Sequence, residues 1–157
     1  MSAATIPERT IRSSEPAETR ALAAKLAAVA RPGDLICLWG ELGAGKTQFA
    51  KGFGAGLGVE GTMASPTFIL MAEHEGRLPL FHLDLYRLAD AADAVAGGLL
   101  DERQLAGVTL VEWPDRLGGV LPAARLDVRI EGTGDEPRDI GIVATDPRYA
   151  LYLDAAR

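Results

Sequence analysis

The sequence predicts an α/β fold in three layers, with a mixed, mainly parallel β-sheet between helices. Strand-length apolar runs alternate with helical segments along the chain, which is typical of a sheet covered by helices. The run Leu35–Trp39 leads into a glycine-rich loop and then into a stretch, Lys46–Leu57, that can form a helix. Two later runs flank the turn Glu75-Gly76-Arg77 and predict an antiparallel hairpin, so the sheet is expected to be mixed.

The glycine-rich loop is the strongest chemical signal in the chain. Residues 40–47 read Gly-Glu-Leu-Gly-Ala-Gly-Lys-Thr, a full match to the Walker A pattern G-x-x-x-x-G-K-[ST]. The glycines permit a tight turn whose amide groups point at phosphate oxygens, at the positive end of the following helix. Lys46 is expected to reach the terminal phosphates and Thr47 to ligate magnesium. We therefore predict a P-loop NTPase-like fold, against the alternative of a glycine-rich turn with a solvated lysine.

Length and composition predict a single domain over residues 1–157. The net charge of −6 argues against a broad basic face that grips nucleic acid. Cys37, the single cysteine, lies within an apolar run and is expected to be a small buried hydrophobe. Because no apolar segment has the length of a membrane span and the start lacks a secretory signal, we expect a cytoplasmic protein with no membrane partner.

The chain before the loop is expected to supply one strand and one helix. Thr10–Arg12 predicts a short first strand. Ser14 has the side chain of a helix N-cap, and apolar residues recur at three- and four-residue spacing along a helix from about Glu15 to Ala30. The sequence Arg-Pro-Gly-Asp at 31–34 then turns the chain into the next strand.

The segment Ser65–Phe68 follows the loop helix and leads into an apolar stretch, Phe68–Ala72. Composition supports two interpretations of it equally: a segment that senses the nucleotide, or an ordinary turn before a strand. The next run, Leu78–Leu83, predicts a strand. Alternation along that strand places His82 in the fold, as a hydrogen-bonded core histidine and not a catalyst.

Two acidic residues stand where predicted strands end. Asp84 follows the run Leu78–Leu83, and Glu112 follows the run Val108–Val111. In a chain with a phosphate loop, one such acid can hold magnesium while the other polarises or positions the attacking water. The sequence does not decide which does which, and the alternative for each is a solvated acid at a strand end.

The remaining segments carry little chemistry. Residues 90–104 predict an alanine-rich helix broken at Gly97-Gly98. Leu126–Ile130 alternates as a half-buried strand does, and Ile140–Ala144 predicts another. The tail from Asp146 to Arg157 is expected to close with a short helix.

Base-recognition elements favour ATP. Guanine-specific proteins usually carry Asn-Lys-x-Asp or Thr-Lys-x-Asp, and this chain has no asparagine and no Thr-Lys-x-Asp. A small-molecule kinase usually needs a basic lid over the phosphates, and no Arg-rich insert of that kind is visible. A kinase and a regulatory module that binds ATP without hydrolysing it remain the alternatives to an ATPase.

Four motifs in a fixed order carry a family resemblance: Gly-Glu-Leu-Gly-Ala-Gly-Lys-Thr at 40–47, Ser-Pro-Thr-Phe at 65–68, His-Leu-Asp-Leu-Tyr-Arg at 82–87 and Val-Glu-Trp-Pro at 111–114. Together they resemble the bacterial TsaE (YjeE) family, the ATPase required for making threonylcarbamoyladenosine in tRNA. The resemblance spans about Ser14 to Ile130. The segment Ala91–Ala94 departs from it, because it is poorer in acids than the corresponding segment of such proteins.

The resemblance implies an ATPase that uses ATP and Mg²⁺, hydrolyses slowly on its own, acts with the proteins TsaD and TsaB, and meets tRNA only indirectly. It implies that Asp84 and Glu112 serve the metal and hydrolysis, together with Lys46 and Thr47. Thr67 would belong to a switch-like segment and Thr19 would lie near the adenine. The residues expected at the nucleotide are Glu41, Leu42, Gly43, Ala44, Gly45, Lys46, Thr47, Gln48, Thr19, Thr67 and Trp113.

Overall fold

The computed structural model describes residues 7–41, 43–61, 71–88 and 102–157. These residues contain a seven-stranded sheet with the strand order β1-β7-β6-β2-β5-β4-β3. The strands are β1 Glu8–Ser13, β2 Leu35–Trp39, β3 Met71–His74, β4 Leu80–Asp84, β5 Val108–Glu112, β6 Leu126–Glu131 and β7 Arg138–Ala144.

The central strands of this sheet run parallel. Strand β2 pairs in parallel with both β5 and β6, and β4 pairs in parallel with β5. The other three pairs, β1–β7, β6–β7 and β3–β4, are antiparallel, so five strands point one way and β3 and β7 the other. This confirms the mixed, mainly parallel sheet. The carboxyl ends of β2, β4 and β5 consequently meet at one edge.

Three α-helices are described: α1 Pro16–Ala28, α2 Lys46–Gly56 and α3 Ala150–Ala155. Their apolar residues share one core with alternate residues of the central strands, such as Ile36 and Leu38. Helices α1 and α2 pack closely at Gly52, which has no side chain: an added Cβ there would lie only 2.2 Å from the carbonyl oxygen of Arg20. No helix in the described part of the chain is long and apolar enough to cross a membrane.

The opposite face of the sheet carries a second apolar cluster, which includes Cys37, Phe81 and Val111. Because side chains alternate along a strand, Cys37 points away from its neighbours Ile36 and Leu38. A 3-10 segment, Pro114–Val120, supplies part of the cover on this side. Burial raises the pKa of the Cys37 thiol to about 12, which agrees with its predicted role as a buried hydrophobe.

A helix broken at Gly97-Gly98 was expected over residues 90–104. Residues 89–101 lie outside the described part of the chain, and Glu102–Ala106 forms a short 3-10 helix. The predicted strand Phe68–Ala72 falls partly outside it as well, and its described end belongs to β3.

The predicted N-cap of α1 is wrong. Glu15 and not Ser14 holds the N-cap position, and its side chain makes no capping hydrogen bond. Pro16 takes the first helical position, where its missing N–H removes one of the groups that a cap would satisfy. The backbone N–H of Ser14 instead donates to the carboxylate of Glu18 over 2.8 Å. Ser14 therefore contributes a donor, not an acceptor, to the helix start.

A buried carboxylate fastens the carboxyl-terminal helix to the sheet. Asp34, just before β2, accepts hydrogen bonds from the Tyr152 hydroxyl at 2.5 Å and from Arg148 Nε at 2.8 Å. The backbone N–H of Leu35 donates to the hydroxyl of Tyr149 over 2.8 Å. Burial raises the pKa of both tyrosines, so each hydroxyl keeps its proton. The predicted short terminal helix is thus tied to the start of β2.

We expect Tyr152→Phe to lower the free energy of unfolding by about 1.5–3 kcal/mol, because the buried Asp34 carboxylate loses a donor. Urea denaturation measures the change. Tyr86→Phe is the control, since Tyr86 is 44% exposed. Equal stabilities for Tyr152→Phe and Tyr86→Phe would show that the hydroxyl contributes nothing.

We expect Gly52→Ala to destabilise the protein by about 1–3 kcal/mol, because its methyl group would force α1 and α2 apart. The matched control is Gly141→Ala on β7, where an added Cβ meets no atom within 4 Å in the described structure. Thermal unfolding of both variants measures the effect. A Gly52→Ala protein as stable as the control would contradict the close helix packing.

Candidate nucleotide-binding site

The loop between β2 and α2 has a backbone that requires glycine. A Cβ at Gly40 would lie 2.7 Å from the carbonyl oxygen of Ile130, so no side chain fits there. Gly43 and Gly45 have φ angles of 82° and 113°, in the left-handed region that side chains disfavour. Leu42 lies outside the described residues. At the described positions, the backbone geometry therefore explains why the sequence pattern has glycine.

Helix α2 begins at this loop without a side-chain cap. Gly45 is the N-cap residue, and the first turn contains no acid. The amide groups of a helix's first turn have no intrahelical partners, and the helix dipole adds partial positive charge. Thr47 is exposed in this turn and Gln48 is half-buried. An uncapped end of this kind suits an anion such as phosphate.

Lys46 is a buried cation. Its side chain is 5% exposed, and its Nζ lies 3.5 Å from the centroid of the Trp113 ring. Nζ makes no hydrogen bond to any of the described residues. Burial lowers the pKa of Lys46, and the charges of four carboxylates oppose that shift, first Glu112, then Asp84, Asp115 and Glu41. The ammonium group therefore has carboxylate charges near it but no hydrogen-bond acceptor within the part of the chain that the structure describes.

Asp84 and Glu112 end neighbouring parallel strands and are paired residues in the β4–β5 register. Glu112 is buried and Asp84 is half-buried. Burial raises the pKa of Asp84; a hydrogen bond from the amide of Tyr86 acts against this, and the charge of Glu112 adds to it. The structure thus brings both predicted acids to the edge where Lys46 lies.

His82 holds one oxygen of Glu112. The histidine is fully buried on β4, and its Nε2 lies 2.7 Å from Glu112 Oε2. This confirms the prediction of a hydrogen-bonded core histidine. The contact restrains the carboxylate without bringing the imidazole to the surface of the site.

Trp113 links Glu112 to the glycine-rich loop. Its φ of 60° is the one positive φ among the described non-glycine residues. Its ring covers the Lys46 ammonium and lies 5.0 Å, centroid to centroid, from the ring of Tyr86. A left-handed conformation at a bulky residue costs energy and is found most often at functional sites. Here it turns the indole towards Lys46.

Two cavities adjoin the loop. One of about 280 Å³ is lined by Thr19, Gln48 and the loop residues Gly43 and Gly45, and by Gly134, Asp135 and Glu136 of the β6–β7 hairpin. Thr19 is buried, with its hydroxyl 2.7 Å from that of Ser13. The second, of about 420 Å³, is lined by Lys46 and Trp113, and by Asp115 and Arg129. The sequence-predicted residue Thr19 therefore lines one cavity, and Lys46 and Trp113 line the other; Ala44 of the loop lines both. Thr67 lies outside the described residues.

Arg138 is the site residue that sequence reasoning missed. From the start of β7, its Nε donates to the carbonyl oxygen of Ala44 over 2.8 Å, and its Nη2 donates to that of Gly43 over 3.2 Å. These partners are more than ninety positions apart in the chain. Asp115 was also not assigned a role. Neither residue stands in a pattern that marks it, so only the folded chain identifies them.

Comparisons with known proteins identify the family of this chain. Residues 13–140 match the family model described as Threonylcarbamoyl adenosine biosynthesis protein TsaE. The tRNA threonylcarbamoyladenosine biosynthesis protein TsaE of Bacillus subtilis is 43% identical over 144 residues, which are 91% of this chain and 90% of that protein. The protein of the same name from Streptomyces coelicolor is 39% identical over 138 residues, which are 83% of this chain and 93% of that protein.

A solved structure is similar over nearly the whole length. The crystal structure of YdiB from Bacillus subtilis superposes with a TM-score of 0.77 at 36% sequence identity, covering 98% of this chain and 97% of that one. The family resemblance read from the four motifs is thereby confirmed. The chain belongs to the TsaE family.

Proposed function

We propose that this chain is a P-loop ATPase domain that binds and hydrolyses ATP with Mg²⁺ and so supports formation of threonylcarbamoyladenosine in tRNA, in association with TsaD and TsaB. The observation that carries the ATPase part is the buried Lys46 ammonium, which lacks a hydrogen-bond acceptor among the described residues and lies at the uncapped start of α2. The tRNA part rests on the names of the family relatives.

Phosphate is the ligand that best satisfies these groups. A buried cation without an acceptor is costly, and an anion would supply the hydrogen bonds that the Trp113 ring does not. The amide groups of the first turn of α2 would bind the same anion. The cavity that contains Thr19 begins at the loop glycines, so it can take the adenosine end of the nucleotide.

The donor set fits Mg²⁺ only together with a nucleotide. In the described residues, no group of three or more His, Cys, Asp or Glu side chains is arranged to hold a metal by itself. Mg²⁺ in phosphoryl-transfer sites usually takes one or two carboxylates, and phosphate oxygens and water complete its coordination. Thr47 with Asp84 or Glu112 would provide the protein's share, and the metal would neutralise charge on the phosphates.

Glu112 is the better placed of the two acids to position the attacking water. His82 fixes one of its carboxylate oxygens, so the side chain has a defined orientation, and its burial excludes bulk solvent. Asp84, half-buried and accepting the Tyr86 amide, would act at the metal. Lys46 would offset the negative charge of the transferred phosphoryl group.

The acidic balance of the chain supports indirect contact with tRNA. A net charge of −6 opposes the counterion-driven binding that basic surfaces provide. TsaD and TsaB would therefore present the tRNA, and the chain would act on that assembly through its ATP cycle. Cytoplasmic localisation follows from this role.

We expect Lys46→Ala to abolish ATP binding and Glu112→Ala to lower the hydrolysis rate by about 10²–10⁴-fold while ATP still binds. Both variants should fail to support tRNA modification in a reconstituted system with TsaD and TsaB. Lys51→Ala, which removes a half-buried lysine on the same helix, is the control. Unchanged hydrolysis and modification in both variants would exclude this site.

The same assay separates the alternative functions. Phosphate transferred to an added metabolite instead of water would identify a kinase. ATP bound tightly but left intact with TsaD and TsaB present would identify a regulatory module.

We expect Asp84→Asn to raise the melting temperature at pH 7 while lowering ATP hydrolysis. The folded-state pKa of Asp84 is raised above its usual value, so its ionised form destabilises the fold at neutral pH. That cost disappears as the pH falls through the raised pKa, so the variant's advantage should vanish near pH 3, below the usual carboxyl pKa of about 3.9. Thermal unfolding at both pH values measures it.

The exposed Asp154→Asn, with its side chain 79% accessible, controls for the loss of one negative charge. An equal gain for Asp154→Asn and Asp84→Asn would mean that net charge, and not burial beside Glu112, explains the change.

A further inference from the structure

The guanidinium group of Arg138 binds the phosphate loop and the β6–β7 hairpin at the same time. Two of its hydrogen bonds go to the loop, to the carbonyl oxygens of Ala44 at 2.8 Å and Gly43 at 3.2 Å. The others go to the β6–β7 hairpin, to the carbonyl oxygen of Gly134 at 3.0 Å and to that of Glu136. A planar fork that binds four carbonyl oxygens connects two segments that are far apart in sequence.

These bonds set the direction of the loop's peptide groups. A peptide group is planar and trans, so its N–H points opposite to its C=O, and the described residues contain no cis peptide bond. Arg138 holds the carbonyl of Ala44 and thereby fixes the amide of Gly45, where α2 begins. It also holds the carbonyl of Gly43, while the amide of Ala44 closes a turn onto Glu41 over 3.1 Å.

The loop has particular need of such a restraint. Its glycines reach left-handed backbone angles easily, but they also lose the most conformational entropy when they are ordered. Binding is tighter when this entropy has been lost before the ligand arrives. An external group that orders Gly43 and Gly45 in the free protein would therefore lower the free-energy cost of nucleotide binding.

The hairpin residues that Arg138 contacts also line the cavity proposed for the nucleotide. Gly134 and Glu136 line the same cavity as Thr19 and Gln48, and Arg138 lines it too. Arg138 is thus hydrogen-bonded to both the loop and the hairpin, which form two walls of the cavity. Its positively charged guanidinium group lies next to the loop.

We propose that Arg138 is a positioning residue, which orders the phosphate loop and joins it to the β6–β7 hairpin so that the nucleotide meets a preformed cavity. The inference rests on the proposed binding of ATP. It predicts an effect chiefly on nucleotide affinity, because Arg138 acts through the backbone carbonyl groups of Gly43 and Ala44.

The experiment compares Arg138→Met, which keeps much of the aliphatic stem, with Arg138→Lys, which keeps the charge but not the fork. Arg12→Met is the matched control, since Arg12 is an exposed arginine on the adjacent strand β1, in register with Asp139 of β7. Calorimetry with ADP and Mg²⁺ gives Kd, steady-state assays give KM and kcat for ATP, and amide hydrogen exchange without nucleotide reports on the loop.

For Arg138→Met we expect Kd and KM to rise about tenfold to a hundredfold, the range that the net loss of one charge-assisted hydrogen bond implies, and kcat to stay within about threefold. Amides of residues 43–46 should exchange faster than in the wild type, while those of β6 and β2 should not. Arg138→Lys should recover only part of the affinity, because an ammonium group cannot reproduce the fork. Arg12→Met should match the wild type.

Three results would overturn the inference. Nucleotide affinity and loop exchange equal to the wild type in Arg138→Met would show that the contact does not order the loop. Full recovery in Arg138→Lys would assign the effect to charge alone. Faster exchange throughout the sheet, with KM and kcat changed alike, would show a general structural role. If the wild type itself neither bound nor hydrolysed ATP, the proposed function would fail instead, which the calorimetry on the wild type reveals separately.

Discussion

The parallel pairing of β2, β5 and β4 brings the residues of the site to one edge of the sheet. In this register Leu38 lies beside Glu112, and Glu112 lies beside Asp84. Because parallel strands end at the same edge, the loop that leaves β2 and the acids that end β4 and β5 emerge together. The cation that follows the loop, Lys46, is then brought within electrostatic reach of both acids. A single change of register would separate these groups.

This edge of the sheet is assembled at a cost in stability. Lys46 is buried without a hydrogen-bond acceptor in the described structure, burial raises the pKa of Asp84, and Trp113 adopts a left-handed backbone. Each feature alone is unfavourable, and together they fall within one small region. Such clustering is typical of a site whose charges are arranged for a ligand and not for the free protein.

The regions away from the site offset that cost. Glycines at the contact of α1 and α2 let the two helices approach closely, so that their apolar faces pack on the sheet. Asp34 draws the carboxyl-terminal helix onto the start of β2 through Tyr152 and Arg148. These contacts fix the start of the strand that leads into the loop. Arg138, at the start of β7, fixes the loop itself. The glycine-rich loop is therefore held at its base by packing and at Gly43 and Ala44 by hydrogen bonds.

Features that depend on neighbouring residues were predictable from the sequence. Strand β2, the glycine-rich loop and the start of α2 were predicted because apolar runs, glycine positions and helix-forming residues act locally. The acids Asp84 and Glu112 were found because each ends a strand-like run. Local rules failed at Ser14, where Pro16 altered the requirement for a cap.

Which of these residues come into contact depends on the folding of the whole chain. Three contacts join residues that are distant in the chain: the cation–π contact of Trp113 with Lys46, the hydrogen bond between His82 and Glu112, and the hydrogen bonds of Arg138 to the loop. Such contacts depend on strand order and register, which arise from packing the whole sheet against its helices. A single sequence carries no local pattern for them, because the energy that selects them is shared over many side chains.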